Sequence, residues 1–368
     1  MSDTLSTELK DFANTSSITD LHLTVGQPPT ARINGILKPL RKTPLSPEEV
    51  EKVAKDIIPK SLHRAFFSHK KSVDFSVALA DKGRFRVNAY YQRGNIALAL
   101  RLLPLEIPTF EELMLPSVVK ELSEKKRGLV MVTGPTGSGK STTLAAMVDY
   151  INSQFSYHIV TLEDPIEYVI EPKKSFISQR ELGTDFSSFE EGLRAALRQD
   201  PDVIVLGEMR DKASISVALT LAETGHLVLT TLHTKSAGET VSRITDVFPP
   251  EQQDEIRVQL STVLEGIIAQ RLLPKKDNSG LTLAYEILIA TPAIRSLIRD
   301  NKPHLIPTSI QTGAGVGMIS MEQRLVEMVR MGLIDEETAL ANANYPDTFN
   351  RMLHGNGATT FSALKYRQ

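Results

Sequence analysis

Eight residues, GPTGSGKS at positions 134–141, constrain this chain more than any other stretch. They fit the pattern G-x-x-x-x-G-K-[ST], and their flanks fit it too. The apolar run GLVMVTG precedes them as a buried strand would, and TTLAAMVDYI follows with helical apolar spacing. A strand, a glycine-rich loop and a helix in that order build a cradle for phosphate. Glycine lets the backbone close around the anion, and the first N–H groups of the helix point at it. On this reading Gly134, Pro135, Thr136, Gly137, Ser138, Gly139, Lys140, Ser141 and Thr142 hold the phosphates of ATP. Lys140 reaches the β and γ phosphates, and the Ser141 hydroxyl ligates Mg2+.

The surroundings of the loop predict an α/β architecture. GLVMVTG, HIVTLED, DVIVLGE and HLVLTTLH are strand-like runs with helical patterns between them, as parallel strands with crossover helices require. This part is expected to span residues 106–368. SVVKELSEKKRG reads as its first helix, ending in a basic turn with Gly128 as the stop. From about Pro249 the pattern turns mostly helical, and the tail after Leu353 reads as poorly packed at its end.

Residues 1–105 read as a separate mixed α and β domain, joined through PLEIPTF. Turns are expected at Gly26–Pro29 and Asn34–Gly35, and strands at SVDFSVAL, GRFRVNAYYQ and NIALALRLL. In SPEEVEKVAKDII, Ser46 is the expected N-cap with Pro47 at the first helical position.

Composition narrows the partners. With 42 basic and 44 acidic residues the net charge is −2, so no global basic bias marks a nucleic-acid binder. The chain has no tryptophan, and no basic–aromatic stacking track of the kind single-strand binding uses. It has no cysteine, which excludes disulfides and cysteine-ligated zinc and fits a reducing cytosol. The polar start MSDTLSTELKDF lacks the layout of a signal peptide, and no apolar run approaches the ~18 residues needed to span a bilayer. Attachment to a membrane is expected only through partners.

The acids and histidines sit at strand ends. DVIVLGEMRD is an apolar strand leading into Glu208, placed to hold the water shell of Mg2+. VTLEDPIEY ends in Glu163, Asp164 and Glu167; Glu163, the first, is the candidate to orient and deprotonate water. His226 and His233 flank one strand. Seven steps separate them by roughly 23 Å, and the odd spacing turns them to opposite faces, so they cannot share one ion. Four arginines, Arg84, Arg86, Arg93 and Arg101, lie in a strand-like region where alternation leaves some merely facing solvent.

Taken together, LRQDPDVIVLGEMRD, TLEDPIEY, the phosphate loop and TGHLVLTTLHT resemble the ordered blocks of the secretion and type IV pilus ATPase superfamily. Within it the chain is most similar to the PilT-type retraction ATPases. It shares the opening TDLHL and the helix TPAIRSLIRDNK, and it lacks the zinc cysteines of many assembly ATPases. In that helix Ile294, Leu297 and Ile298 form an apolar face, and Arg295, Arg299 and Lys302 a basic stripe.

The resemblance implies an N-terminal PAS-like domain, a RecA-like ATPase domain and a hexameric ring at the cytoplasmic face of the inner membrane. It implies a pilus platform protein as partner, and a paralogous retraction ATPase as a further one. It gives His233 the role of sensing the γ-phosphate, places His226 in the same box, and makes Arg86 and Arg101 the arginines that reach the nucleotide. Arg243 and Arg271 match further superfamily positions. An accessory ATPase, a pilus assembly or type II secretion ATPase, and a ring with a mainly structural or regulatory role are the other expectations.

Overall fold

The computed structural model describes residues 18–33, 36–79, 83–103, 106–209 and 211–355. The expected turn at Asn34–Gly35 and most of the tail lie outside them. Two compact units form, each over its described residues: Met1–Ile107 with Val160–Pro172 and Ile177–Gly192, and Pro108–Ile159 with Lys173–Phe176 and Leu193–Gln368.

The first unit is built on six antiparallel strands: β1 (Ile18–Thr24), β2 (Thr30–Ile33), β3 (Ile36–Pro39), β4 (Val73–Leu79), β5 (Gly83–Gln92) and β6 (Asn95–Leu103). Their order is β3-β2-β1-β6-β5-β4. Arg93 and Gly94 both have positive φ, 50° and 80°, and make the tight two-residue turn that pairs Gln92 with Asn95. Helix α1 (Pro47–Ile57) starts as its sequence predicts. Ser46 Oγ accepts from Glu49 N, and the Glu49 carboxylate accepts from Ser46 N, a complete capping box. The face of α1 carrying Val50, Val53, Ala54 and Ile57 is buried in a core with Leu21, Phe66, Phe75, Phe85 and Leu98.

In the second sheet the strands are β7 (Gly128–Thr133), β8 (His158–Glu163), β9 (Phe176–Glu181), β10 (Val203–Leu206), β11 (Leu227–Leu232), β12 (Leu264–Pro274) and β13 (Leu281–Ile289). The order is β13-β12-β7-β11-β10-β8-β9. Every residue of β7, β10 and β11 is buried, which is why these strands read as continuous apolar runs rather than alternations. β10, β11, β7 and β12 pair in parallel, and β13 returns antiparallel to β12.

Two expectations need correction. The segment after Pro249 opens with a helix, Pro250–Val263, and is mostly helical from Pro292 on, but between them β12 and β13 extend the sheet. Their stretches GIIAQRLL and LAYEILI are largely buried, with β12 inside the sheet and β13 at its edge, and runs this rich in apolar residues give no clear period to tell strand from helix. Second, the helix before the loop, α2 (Ser117–Ser123), ends before the basic residues. Gly128 is no helix stop: it opens β7 at φ 111°, where a Cβ would lie 2.6 Å from Glu265 Cγ and 2.8 Å from the Val263 carbonyl. The close approach of β12 demands glycine there.

Candidate nucleotide site

The phosphate loop joins β7 to helix α3 (Lys140–Gln154). Gly139 is the N-cap, at φ 84°, and no side chain caps the helix. Thr143 N donates to the Gly139 carbonyl at 3.0 Å and opens the helix. The amides of Gly139, Lys140, Ser141 and Thr142 lie in this first turn, at the positive end of the helix. Gly134, at φ 149°, has no room for a side chain: a Cβ would stand 2.3 Å from the Gln270 carbonyl oxygen and 2.5 Å from Ser138 Oγ. Ser138 Oγ is itself buried without a protein partner. A loop that leads into a helix N-terminus, an unpaired buried hydroxyl and an obligatory glycine fit a phosphate group. Ser141 and Glu208 bring the hard oxygen donors that Mg2+ takes alongside phosphate and water.

Lys140 Nζ donates to the carbonyls of Gly134 at 2.9 Å and Pro135 at 3.1 Å, both in the loop itself. It also lies 3.4 Å from His233 Nδ1. On the other side of that ring, His233 Nε2 is 3.2 Å from Glu208 Oε1. Lysine can only donate, so His233 Nδ1 accepts, and Nε2 carries the hydrogen that meets the carboxylate. One imidazole thus links the loop lysine to Glu208. β10 delivers Glu208 two residues past its end, and β11 delivers His233 one residue past its end, at the edge of the sheet where β7 runs into the loop. Glu208, His233, Thr234, Glu239 and Arg243 line an open cavity of about 390 Å³.

His226 stands at the other end of β11. Its carbonyl accepts from Gly128 N at the start of β7, and its Nδ1 lies 3.0 Å from the Leu221 carbonyl and 3.2 Å from Thr224 Oγ1. The two box histidines are not brought together, in agreement with their odd spacing.

Glu163 belongs to the first unit and ends β8. Its Oε1 accepts from Thr161 Oγ1 at 2.6 Å and from Gln179 Nε2 at 3.0 Å. Burial pushes its carboxyl above the ordinary range, against those two hydrogen bonds. Arg86 lies 3.9 Å from Glu167, and Arg101 makes a 2.8 Å ion pair with Asp20 at an exposed position. Arg84 is built into the unit: it donates to Ser76 Oγ and, at 3.0 Å, to the buried Glu181, which also accepts from Ile166 N.

Helix α8 (Pro292–Arg299) buries Ile294 and Ile298 as its apolar spacing predicts. The basic stripe is only partly a surface. Arg295 turns inward to the carbonyls of Ser261 and Thr262 at 2.7 and 2.8 Å and to Glu265 at 3.0 Å, while Arg299 and Lys302 are exposed. A residue that sequence reading passed over is Gln270, whose side-chain amide donates to the Ser138 carbonyl at 2.8 Å and braces the loop. A lone glutamine inside the apolar run GIIAQRLL was the available signal.

Residues 95–329 match the family described as type II/IV secretion system protein. Over 343 residues the chain is 46% identical to the type IV pilus retraction ATPase PilT of Pseudomonas aeruginosa, covering 93% of this chain and 99% of that protein. It is likewise 46% identical over 322 residues to the twitching motility protein of Neisseria gonorrhoeae, covering 88% of this chain and 86% of that one. A crystal structure of the pilus retraction motor PilT with bound ADP superposes with a TM-score of 0.87 at 49% identity, over 95% of this chain and 99% of that one. The chain belongs to the type II/IV secretion system protein family.

Proposed function

We propose that this protein is an ATPase motor that drives type IV pilus retraction, working as a homohexamer at the cytoplasmic face of the inner membrane against the pilus platform protein. The observation that carries the reading is the pairing of a complete phosphate loop, wired through His233 to Glu208, with near full-length similarity to a retraction ATPase. The domain division at residues 105 and 106, an N-terminal PAS-like part and a RecA-like part, is proposed on the same footing.

In this reading the loop amides and Lys140 take the phosphates of ATP. Lys140 gives up its bonds to the Gly134 and Pro135 carbonyls for charge-assisted bonds to the β and γ oxygens. Ser141 and Glu208 would hold Mg2+, which supplies neutralisation of phosphate charge when bound. Glu163 accepts the proton of the attacking water, a task suited to a carboxyl whose proton affinity burial has raised. Arg86 and Arg101 provide positive charge to the transferring group after leaving Glu167 and Asp20. His233 moves with Lys140 and reports the state of the γ-phosphate along β11.

Phosphate release from ATP by the purified full chain tests the enzymatic half. Mg2+-dependent turnover is expected, and Lys140→Ala and Glu208→Ala should each abolish it. Near-normal turnover in either variant would remove the site assignment.

A further inference from the structure

Behind the cavity lies a buried carboxylate that the mechanism above does not use. Glu286 sits in the middle of β13, only 3% exposed. Its Oε1 accepts from Ala237 N at 2.8 Å. Ala237 is the first residue of helix α6 (Ala237–Asp246), which follows His233 by four positions. One side chain thus closes the N-terminal end of α6 from a strand far away in sequence. Ala237 is fully buried, and without this acceptor its amide would stay unpaired.

The rest of the layer is polar and only partly enclosed. Glu286 pairs across the ladder with Ala269, so Arg271, two residues on, is its diagonal neighbour on the same face. Arg271 donates to the Asn342 carbonyl and to Asn344 Oδ1, and the buried Glu322 accepts from Tyr345 N at 2.9 Å. The adjoining residue Gln270, on the opposite face of β12, braces the phosphate loop. Along the short link from β11 to α6, His233 is held at one end by Lys140 and Glu208. Thr234 bonds the Thr240 hydroxyl at 2.6 Å, and Ala237 is held at the other end by Glu286.

We propose that Glu286 is a positioning residue for ATP hydrolysis: by anchoring the first amide of α6 it fixes where His233 meets Lys140 and Glu208. The inference rests on the ATPase reading above. Glu286 is buried and does not line the cavity, so its loss should leave nucleotide binding intact and reduce the rate.

The test uses the purified full chain and the variant Glu286→Gln. The glutamine amide fills the same volume but offers one acceptor oxygen in place of two and no charge, so its hold on Ala237 N is weaker. Expected are a fall in kcat of about 10-fold or more, from a small displacement of His233, and ADP affinity by calorimetry within about threefold of wild type. Asp335→Ala serves as the comparison. It removes the exposed cap of the helix at Glu336–Asn342, where Asp335 Oδ1 accepts from Thr338 N at 2.7 Å, and should lower Tm while leaving kcat alone. Should E286Q not fold, Ala237→Pro decides, because proline at a first helical position keeps the helix but has no N–H to give; the same loss of kcat is expected. An E286Q protein with kcat within twofold of wild type, or a D335A protein that loses turnover equally, would overturn the inference. Wild-type protein without turnover would overturn the ATPase reading itself, and this inference with it.

Discussion

Lys140, His233 and Glu208 form the shortest statement of this site: a cation that can only donate, a ring that passes the interaction on, and an anion that receives it. All three were legible in the sequence, because each sits within a motif whose chemistry is carried by neighbouring residues. Gln270, Glu181 and Glu286 were not. Their partners lie far away along the chain, 132 residues in the case of Gln270 and Ser138, and no local pattern announces them. Two predictions belong at this scale. Glu163→Gln should keep nucleotide affinity and lose about 10²–10⁴ in kcat, the usual worth of a general base, in a steady-state assay. Unchanged kcat would remove Glu163 from the chemistry. The second concerns Glu286, whose carboxyl is pushed up to about 7 from its ordinary 4.5 by burial and by Glu322, against its bond from Ala237 N and against Arg271. The folded state therefore holds a proton that the unfolded chain has already lost above pH 4.5. That favours the fold fully at low pH, and the benefit fades as pH rises towards 7, by up to about 3 kcal/mol at 1.36 kcal/mol per unit. Urea midpoints at pH 5 and pH 8 should fall more for wild type than for Glu286→Gln; equal falls would contradict the assignment.

At the scale of elements, the sequence spoke clearly wherever a periodic pattern met a punctuating residue. Ser46 and Pro47 opened α1, Thr291 and Pro292 opened α8, and the turn at Arg93–Gly94 separated β5 from β6. It misled where burial is uniform. β12 and β13 are buried along most of their length on both faces, so they carry neither the alternation of a half-exposed strand nor the stripe of a surface helix. Gly128 misled for a related reason, since a glycine after a helix and a glycine under a neighbouring strand look alike until the neighbour is known. The cap of α1 offers a test independent of function. Ser46→Ala removes one half of a capping box and should cost about 1 kcal/mol in chemical denaturation, with ATP turnover unchanged. A cost near zero would mean that the Pro47 start and the packing of Val50 and Val53 hold the helix alone.

For the whole molecule, the fold supplies two sheets of different character: an antiparallel sheet backed by α1, and a mainly parallel sheet whose strand ends carry the phosphate loop, Glu208 and His233. Among the described residues no helix is long and apolar enough to cross a membrane. Work on a pilus needs a contact surface, and Arg299 and Lys302 of the α8 region are exposed. The direction of that work follows from no bond in the site, because hydrolysis is the same chemistry whether a motor builds or dismantles. The most direct measurement is a count of surface pili by electron microscopy, with twitching scored on the same strain, in cells lacking this gene. A retraction motor predicts excess pili with motility lost, restored by the wild-type gene and not by Lys140→Ala. Bald cells would contradict the account and make the protein an assembly motor.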